Sequence, residues 1–409
     1  MPAPDPDAQT DAGRRAPRVL VVLDTPLAWA VLIVESLLRH GCTVDLLCAR
    51  GYVAAQLRGI RHVKFYGWGS TLAATSRAVR SEHYDRILPC TDTAYLHLMC
   101  LREIEPECDA ILSRHLGPLT TQRLFSTRYG ALRRAQELGI RVPETALPTG
   151  DDDLRAWYAT SDRRSVLKAD YSEGGRGVRI VEDLGQARAA RAALIRRPGV
   201  LRVAALGALQ RAPLAAWGAA YARRQPQTPL IQQYIDGTPA NALFHCEDGR
   251  VDGALAVAAT RTLGRHGMAT AIRLIDDPDM LEAGRLLARD LNVTGFMGLD
   301  FMLEKASDKP YLLEVNPRCT QIAHLEIAGR GSLTGRLAAS LAGRPLRILQ
   351  PIEDRAIATF FGILAQGAPR RGHYHLDAPS DPAIAALLQR AMAQARNPLR
   401  RALERLLEP

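Results

Sequence analysis

The sequence has no long apolar runs: none reaches the roughly 18 consecutive residues that a membrane-spanning helix needs. Of its 409 residues, 47% are hydrophobic and 23% are charged, which is typical of a globular protein with a sizeable core. Residues 1–16 are polar and rich in proline and alanine, and they lack the apolar segment of a signal peptide. We therefore expect no membrane association and a disordered N-terminus.

Cysteines in metal-binding spacing are also absent. The seven cysteines are scattered and none forms a CxxC pair, so we predict free thiols in a reducing compartment and a cytoplasmic protein. His373 and His375 alternate with one tyrosine, but no third ligand is apparent in the sequence. We interpret this pair as solvent-exposed rather than as a metal site.

Basic clusters with interleaved aromatic residues are missing as well. Lys and Arg exceed Asp and Glu by 53 to 43, which gives a net charge of +10, while aromatic residues make up only 5%. This balance predicts an arginine-rich solvated surface and no nucleic-acid binding, and it leaves open an affinity for anions such as nucleotide phosphates. The chain has neither a GxSxG motif nor a GxGxxG after its first strand, so nothing predicts a serine nucleophile or a dinucleotide site.

The first part of the chain alternates between strand-like and helix-like segments. A helix is predicted over 28–40, ending at Gly41. Such alternation is typical of a doubly wound parallel sheet, so we predict an N-terminal α/β domain over 17–117. Apolar runs bounded by polar residues predict its strands at 18–24, 43–49, 61–67 and 85–92.

The pattern changes after a predicted helix over 120–138. Paired strands around glycine-rich or polar turns favour an α+β domain over 118–345, with subdomains at 145–237 and 238–345. Residues 186–224 are interpreted as a packing or oligomer helix, so a homo-oligomer is possible, and 346–409 as an extension that contains a basic helix over 386–407. The strands of the α+β domain are predicted at 165–170, 177–182, 229–236, 241–248, 250–257, 269–276, 294–304 and 310–316, with a helix at 279–291.

Two of these apolar strands each carry one carboxylate. Asp300 and Glu314 lie on strands that pair through the turn at 305–310, and Asn316 shares a sheet face with Glu314 by the alternation of strand side chains. Three oxygen-bearing side chains would therefore converge, a set that suits Mg²⁺. Arg318 follows directly and would reach a phosphoryl oxygen. The alternative is an ordinary salt-bridged surface sheet.

Two further segments carry groups that suit a nucleotide. Lys168 interrupts a strand that precedes a glycine-rich loop, where backbone N–H groups can close over phosphates. Segment 229–237 is extended and can contact adenine through the Gln233 carbonyl and the Ile235 N–H, with Gln232 near the adenine amino group. Taken singly, each segment is equally compatible with a plain loop or strand.

In this order, the lysine and glycine loop, the extended segment, and Asp300 with "EVNPR" resemble the ATP-grasp superfamily, over roughly residues 118–345. The carboxylate–amine ligases and the carbamoyl-phosphate-synthase-like members are the most similar. The resemblance implies an ATP-grasp fold preceded by an α/β domain, with ATP and Mg²⁺ (or Mn²⁺) as cofactors. It implies phosphate contacts from Lys168, Ser172, Gly174, Gly175 and Gly177, adenine contacts from Gln232, Gln233, Tyr234 and Ile235, metal ligation by Asp300, Glu314 and Asn316, and catalysis by Arg318 and Lys168.

By the same resemblance, the protein joins a small-molecule carboxylate, such as an amino acid or small peptide, to an amine. The chemistry runs through an acyl phosphate and releases ADP and phosphate. The chain departs from the family by having Arg128 where many members carry a lysine, and "TPAN" where many carry a glutamate after the hinge glycine. Arg128 is expected to keep the charge but not the geometry of lysine.

Several alternatives stay open at this stage. The substrate is either an organic acid or bicarbonate or carbamate, and a non-catalytic nucleotide-binding scaffold is a third reading. Arg261, with Arg265 and His266 nearby, is a candidate for binding the substrate carboxylate, against the alternative of solvent-facing arginines. His324 is expected either to orient substrate or to cap a helix. We also expect Glu314→Gln to abolish turnover while relieving repulsion with Asp300, so that stability without metal holds or rises.

Overall fold

The protein is described from a computed structural model that covers residues 15–66, 71–122, 127–160, 164–169, 177–195, 228–264, 267–369 and 372–395. Its first region is a parallel sheet in the order β3-β2-β1-β4. The predicted strands are confirmed, with ends shifted by up to three residues. In chain order the elements are β1 (Arg18–Leu23), α1 (Ala28–Arg39), β2 (Thr43–Cys48), β3 (His62–Phe65), α2 (Thr71–Arg80), β4 (Arg86–Pro89), α3 (Asp92–Ile104) and α4 (Pro106–Leu116).

The predicted continuous helix over 120–138 is wrong. Thr127 has an extended backbone (φ −135°, ψ 143°), and its hydroxyl accepts a hydrogen bond from the Gly130 N–H, so it caps a separate helix. The small sheet that follows has the order β5-β8-β6-β7 and is antiparallel. Its region contains α5 (Leu119–Gln122), α6 (Arg128–Glu137), β5 (Thr145–Ala146), α7 (Asp151–Thr160), β6 (Ser165–Lys168), β7 (Val178–Val181), α8 (Leu184–Ile195) and β8 (Leu230–Gln233).

A seven-stranded sheet in the order β13-β12-β9-β10-β11-β14-β15 forms the rest of the fold. All of its pairings are antiparallel except β14 with β15, which lie after residue 345 and join the sheet at its far edge. Its elements are β9 (Gly237–Glu247), β10 (Arg250–Thr262), β11 (Ala269–Ile275), α9 (Pro278–Asp290), β12 (Gly295–Glu304), β13 (Pro310–Asn316), α10 (Leu333–Ala342), β14 (Ala356–Ala358), α11 (Phe360–Gln366), β15 (His375–Leu376) and α12 (Pro382–Ala395).

The N-terminal sheet and the large sheet share one buried apolar core, which includes Val21, Leu46, Leu243 and Ile357. Polar contacts also cross this junction. Arg86, 2% exposed in its side chain, pairs with Glu247 at 2.6 Å. The shared core indicates that the two sheets pack as one unit, which is needed if residues from both are to form one site.

Three histidines considered in the sequence lie in different environments. His373 has 97% of its side chain exposed, as predicted, whereas His375 lies in β15 and is partly buried. His324 is buried and pairs with Asp377 at 3.0 Å, so it neither caps a helix in this structure nor lines the cavity described below. Within the described residues, no helix is long and apolar enough to cross a membrane.

Gly284 of α9 provides a test of the packing between helix and sheet. A Cβ atom at this position would lie 2.1–2.5 Å from ring atoms of Phe244, which is 1% exposed. Alanine favours a helix over glycine by about 1 kcal/mol, but overpacking a core costs about 1–3 kcal/mol. We therefore predict that Gly284→Ala lowers the free energy of unfolding by up to about 2 kcal/mol, measured by urea denaturation.

Gly150→Ala is the matched control, because nothing lies within 4 Å of its added Cβ atom. It should leave stability unchanged or raise it by about 0.4–1 kcal/mol, through a smaller entropy of the unfolded chain. A stability gain in Gly284→Ala similar to that of the control would contradict the described contact between α9 and β9.

Candidate active site

The site is organised around two carboxylates on adjacent strands. Asp300 of β12 is directly opposite Glu314 of β13, as the sequence predicted, and Asn316 pairs with Gly298 two positions along. The side chain of Asn316 donates to Asp300 Oδ2 at 2.9 Å. Asn241 of β9 donates to Asp300 Oδ1 at 2.7 Å. Burial first, and the charge of Glu314 second, raise the pKa of Asp300, while these two amide donors lower it.

Arg128, at the first position of α6, contacts Glu314 directly. Its Nε and Nη2 lie 3.0 and 2.8 Å from Glu314 Oε1, and Nη1 donates to the carbonyl of Ala169 at the end of β6. The side chains are 9% exposed for Arg128 and 25% for Glu314. One guanidinium therefore links α6, β6 and β13, a geometry that a single lysine ammonium cannot reproduce with the same three contacts.

This ion pair corrects one expectation. Replacing Glu314 by glutamine was expected to relieve repulsion and to keep stability. The pairing with Arg128 reverses the expected effect on stability, because the substitution would leave a largely buried guanidinium without its charged partner. The competing interpretation, a salt-bridged Glu314, is the one that the structure contains.

Arg318 is held in place from the N-terminal sheet. Its Nε and Nη2 pair with both oxygens of Asp92, and Nη2 also donates to Asn316 Oδ1 at 3.3 Å. Asp92 lies in the first turn of α3, immediately after the cap residue Thr91. The sequence analysis missed Asp92, although an acidic residue in a helix that follows a parallel strand was the available signal.

Lys168 is 8% exposed at the end of β6. Its Nζ donates to Gln232 Oε1 at 2.7 Å and to the carbonyl of Leu313 at 3.5 Å. Burial is the main cause that lowers the pKa of Lys168 to about 8, with Arg128 acting in the same direction and Glu314 opposing both.

The extended segment of β8 lies beside this lysine. Gln232 is 1% exposed and donates to Thr145 Oγ1 at 3.0 Å. The backbone N–H groups of Gln233 and Tyr234 donate to the carbonyls of Glu144 and Arg164. The predicted adenine contacts therefore depend on the Gln233 carbonyl and the Ile235 N–H.

One cavity of about 430 Å³ brings most of the predicted site residues together. Gly177 and the exposed Arg261 do not line it, although Gly267 to Ala269 of the loop after Arg261 do. Ser172, Gly174, Gly175, Arg265 and His266 lie outside the described residues. The predicted residues that line the cavity are Arg128, Lys168, Gln232, Gln233, Tyr234, Ile235, Asp300, Glu314, Asn316 and Arg318.

The donor set fits a hard divalent cation. Two carboxylates and one carboxamide converge, and Asp300 carries the raised pKa of a carboxyl group that lacks a strong local counter-charge. In the described parts of the chain there is no group of three or more His, Cys, Asp or Glu side chains that forms a metal site by itself. Substrate phosphates and water would thus have to complete the coordination, as is usual for Mg²⁺.

Residues 215–321 match the family model described as the ATP-grasp domain. This match covers 107 of the 409 residues of the chain. A segment of the chain is also 36% identical over 87 residues to the carbamoyl phosphate synthase large chain of Thermomicrobium roseum. That match covers 20% of the present chain and only 8% of the synthase chain.

Several solved structures share the fold of this chain. N5-carboxyaminoimidazole ribonucleotide synthetase with ADP has a TM-score of 0.57 at 11% identity, over 93% of this chain and 98% of its own. The biotin carboxylase domain of Hydrogenobacter thermophilus 2-oxoglutarate carboxylase has a TM-score of 0.56 at 14% identity. This match covers 84% of the present chain and 73% of the other chain. L-amino acid ligase from Bacillus licheniformis has a TM-score of 0.54 at 13% identity, over 83% and 76%.

The lowered pKa of Lys168 predicts a pH dependence of nucleotide binding. The lysine is charged below about pH 8 and neutral above it, and nucleotide phosphates favour the charged form. We predict that the affinity for ADP, measured by calorimetry, is nearly constant well below pH 8, begins to fall near pH 8, and approaches a loss of up to about 10-fold per pH unit above it. Lys168→Arg should remove this slope, because arginine stays charged.

Lys305→Arg on the exposed turn between β12 and β13 is the control and should keep the slope. An equal loss of affinity at high pH in Lys168→Arg would show that another group titrates.

Proposed function

We propose that the protein is an ATP-dependent carboxylate–amine ligase that forms an acyl phosphate, then an amide or peptide-type bond, and releases ADP and phosphate. The observation that carries this proposal is the single cavity in which β8, Lys168, the carboxylates of β12 and β13, and Arg318 meet. An extended segment for adenine, cations for phosphates and oxygen ligands for a metal are the parts that phosphoryl transfer requires.

The chemistry needs positioned charges rather than a protein nucleophile. Lys168 would bind the nucleotide phosphates, and Arg318 would stabilise the transferring phosphoryl group and the acyl phosphate. Asp300, Glu314 and Asn316 would hold Mg²⁺, which neutralises phosphate charge when bound. The substrate carboxylate attacks the γ-phosphorus of ATP, ADP leaves, and the amine then displaces phosphate from the acyl carbon.

Arg128 contacts one of the carboxylates proposed to hold the metal. Its guanidinium occupies Glu314 Oε1, the oxygen that a metal would use. Arg128 therefore neutralises one of the carboxylates that would hold the cation, and nucleotide phosphates would provide its guanidinium with a second anionic partner.

Asp92 supports the reaction indirectly. Because it pairs with Arg318 through both oxygens, it is a positioning residue that fixes the guanidinium plane. We also propose a cytoplasmic location, since all seven cysteines are free thiols and six of them are buried.

A second candidate is phosphorylation of bicarbonate or carbamate. The observation that favours it is the 36% identity over 87 residues with a carbamoyl phosphate synthase large chain. ADP formation that depends on bicarbonate and needs no organic acid would support this candidate over the first.

The decisive test of reaction type is a screen of acid and amine pairs, amino acids first, with both nucleotide products measured. We predict release of ADP and phosphate. AMP and pyrophosphate would contradict the acyl-phosphate mechanism. Binding of nucleotide without stimulation by any pair, bicarbonate included, would favour the non-catalytic scaffold.

Glu314→Gln tests the metal-site role separately from stability. We predict a loss of about 10²–10³ in turnover, because a charge that organises phosphoryl transfer is removed. The free energy of unfolding without nucleotide should also fall, and with it the melting temperature. The loss should be smaller than the roughly 3–5 kcal/mol of a broken buried pair, since the side chain of Glu314 is 25% exposed.

Glu247→Gln is a matched control. It breaks a similar pair, Arg86 with Glu247, whose side chains are 2% and 32% exposed, outside the cavity. It should lower the melting temperature to a similar degree and keep turnover per folded molecule. Full turnover in Glu314→Gln would contradict the role of Glu314 in the reaction.

A further inference from the structure

The floor of the cavity changes chemistry across the large sheet. Asp300, Asn241 and Val257 are directly opposed in register across β12, β9 and β10, and Ala259 is opposite Ile272 of β11. Adjacent strands lie about 4.8 Å apart, so Val257 is about 10 Å from Asp300. Ile272 lies three strands across and two residues further along, which places it about 16 Å from Asp300. Along this direction a carboxylate gives way to a carboxamide and then to aliphatic side chains.

The walls at the β10–β11 end are apolar as well. Trp29 and Leu27 approach from the start of α1, and Ile322 from the segment after β13. Trp29, Ile322, Val257 and Ile272 all belong to the shared apolar core, so this end of the cavity is a surface of that core.

The ionised residues that line the cavity within the described ranges gather around β12 and β13. Two of them are on β12 and β13, three donate hydrogen bonds to β13, and the last pairs with one of these donors. They are Asp300 and Glu314; Arg128, Lys168 and Arg318; and Asp92.

The reaction geometry indicates which part of the reactants lies at the apolar end of the cavity. Phosphoryl transfer places the attacking and leaving oxygens roughly in line, so the acid lies on the side of the γ-phosphorus opposite ADP. With adenine at β8, the acid extends away from the small sheet and along the floor toward β10 and β11. We propose that the carboxylate substrate carries an uncharged, apolar side chain that packs against Trp29, Val257 and Ile272. This inference rests on the ligase function proposed above.

The preference follows from desolvation. An unpaired charge in this end of the cavity would lose its hydration without gaining a partner among the described side chains. An aliphatic group has no such hydration to lose, and its contacts with the apolar walls hold it in place. One methylene in such a pocket changes kcat/KM by about 10- to 200-fold. Bicarbonate would leave this end of the cavity unfilled.

The experiment compares acids of the same shape. Leucine, asparagine and aspartate have similar branched side chains but differ in polarity and charge. With saturating ATP and a fixed amine, we predict that kcat/KM for phosphate release is at least about 100-fold higher with leucine than with aspartate, and that asparagine is intermediate. Equal or better use of aspartate, lysine or bicarbonate would overturn the inference.

Ala259→Leu tests the location of the subsite. Its added side chain narrows the space beside Ile272, so kcat/KM for leucine should fall at least about 10-fold relative to alanine as the acid, with KM for ATP unchanged. The ratio of two acids in one preparation does not depend on the fraction of folded protein. An unchanged ratio would overturn the assignment.

Thr260→Leu is the control, because residue 260 is adjacent on the same strand, exposed, and outside the cavity lining. It should leave the ratio between the two acids unchanged. ADP formation with charged acids alone would overturn this inference and leave the ligase function standing, whereas no ADP with any acid would contradict both.

Discussion

Two carboxylates face each other across β12 and β13, and their mutual repulsion is the constraint on which the rest of the site depends. The register that pairs Asp300 with Glu314 keeps the two carboxylates close together, because both side chains point to the same face of the sheet. Asn241 and Asn316 donate to one carboxylate, and Arg128 pairs with the other. A divalent cation and a polyphosphate suit such a set of carboxylates, amides and cations.

The compensation comes from regions that are distant in the sequence. Arg128 lies 186 residues before Glu314, and Asp92 lies 226 residues before its partner Arg318. The contact between Asp92 and Arg318 holds only if the N-terminal sheet and the large sheet pack as one unit, and their shared core provides that packing. The N-terminal sheet thus contributes directly to the site, through Asp92 toward the phosphoryl end and through Trp29 toward the apolar end.

Local pattern was sufficient to predict the strands and the groups that interrupt them. Three charged residues were recognisable because each interrupts an apolar strand: Lys168, Asp300 and Glu314. Burying a charge is costly unless a partner compensates it, so such a position indicates a binding site. Asp92 and Asn241 were missed because their roles depend on partners across the fold, which no local pattern encodes. The break before α6 was missed because Thr127 reads equally as a helix residue or a cap, and only the backbone decides. For the same reason the pairing of Glu314 with Arg128, and with it the sign of the Glu314→Gln effect, needed the structure.

The central claim is that the substrate carboxylate is activated as an acyl phosphate at the junction of these strands. The most direct test uses an acid that supports turnover, labelled with ¹⁸O in its carboxylate, and measures the label in the inorganic phosphate released. Attack on the γ-phosphorus forms a bond between a carboxylate oxygen and phosphorus, and the later loss of phosphate from the acyl carbon carries that oxygen away. The account predicts one ¹⁸O atom in each phosphate from a fully labelled acid. Release of unlabelled phosphate while the amide product forms would contradict it.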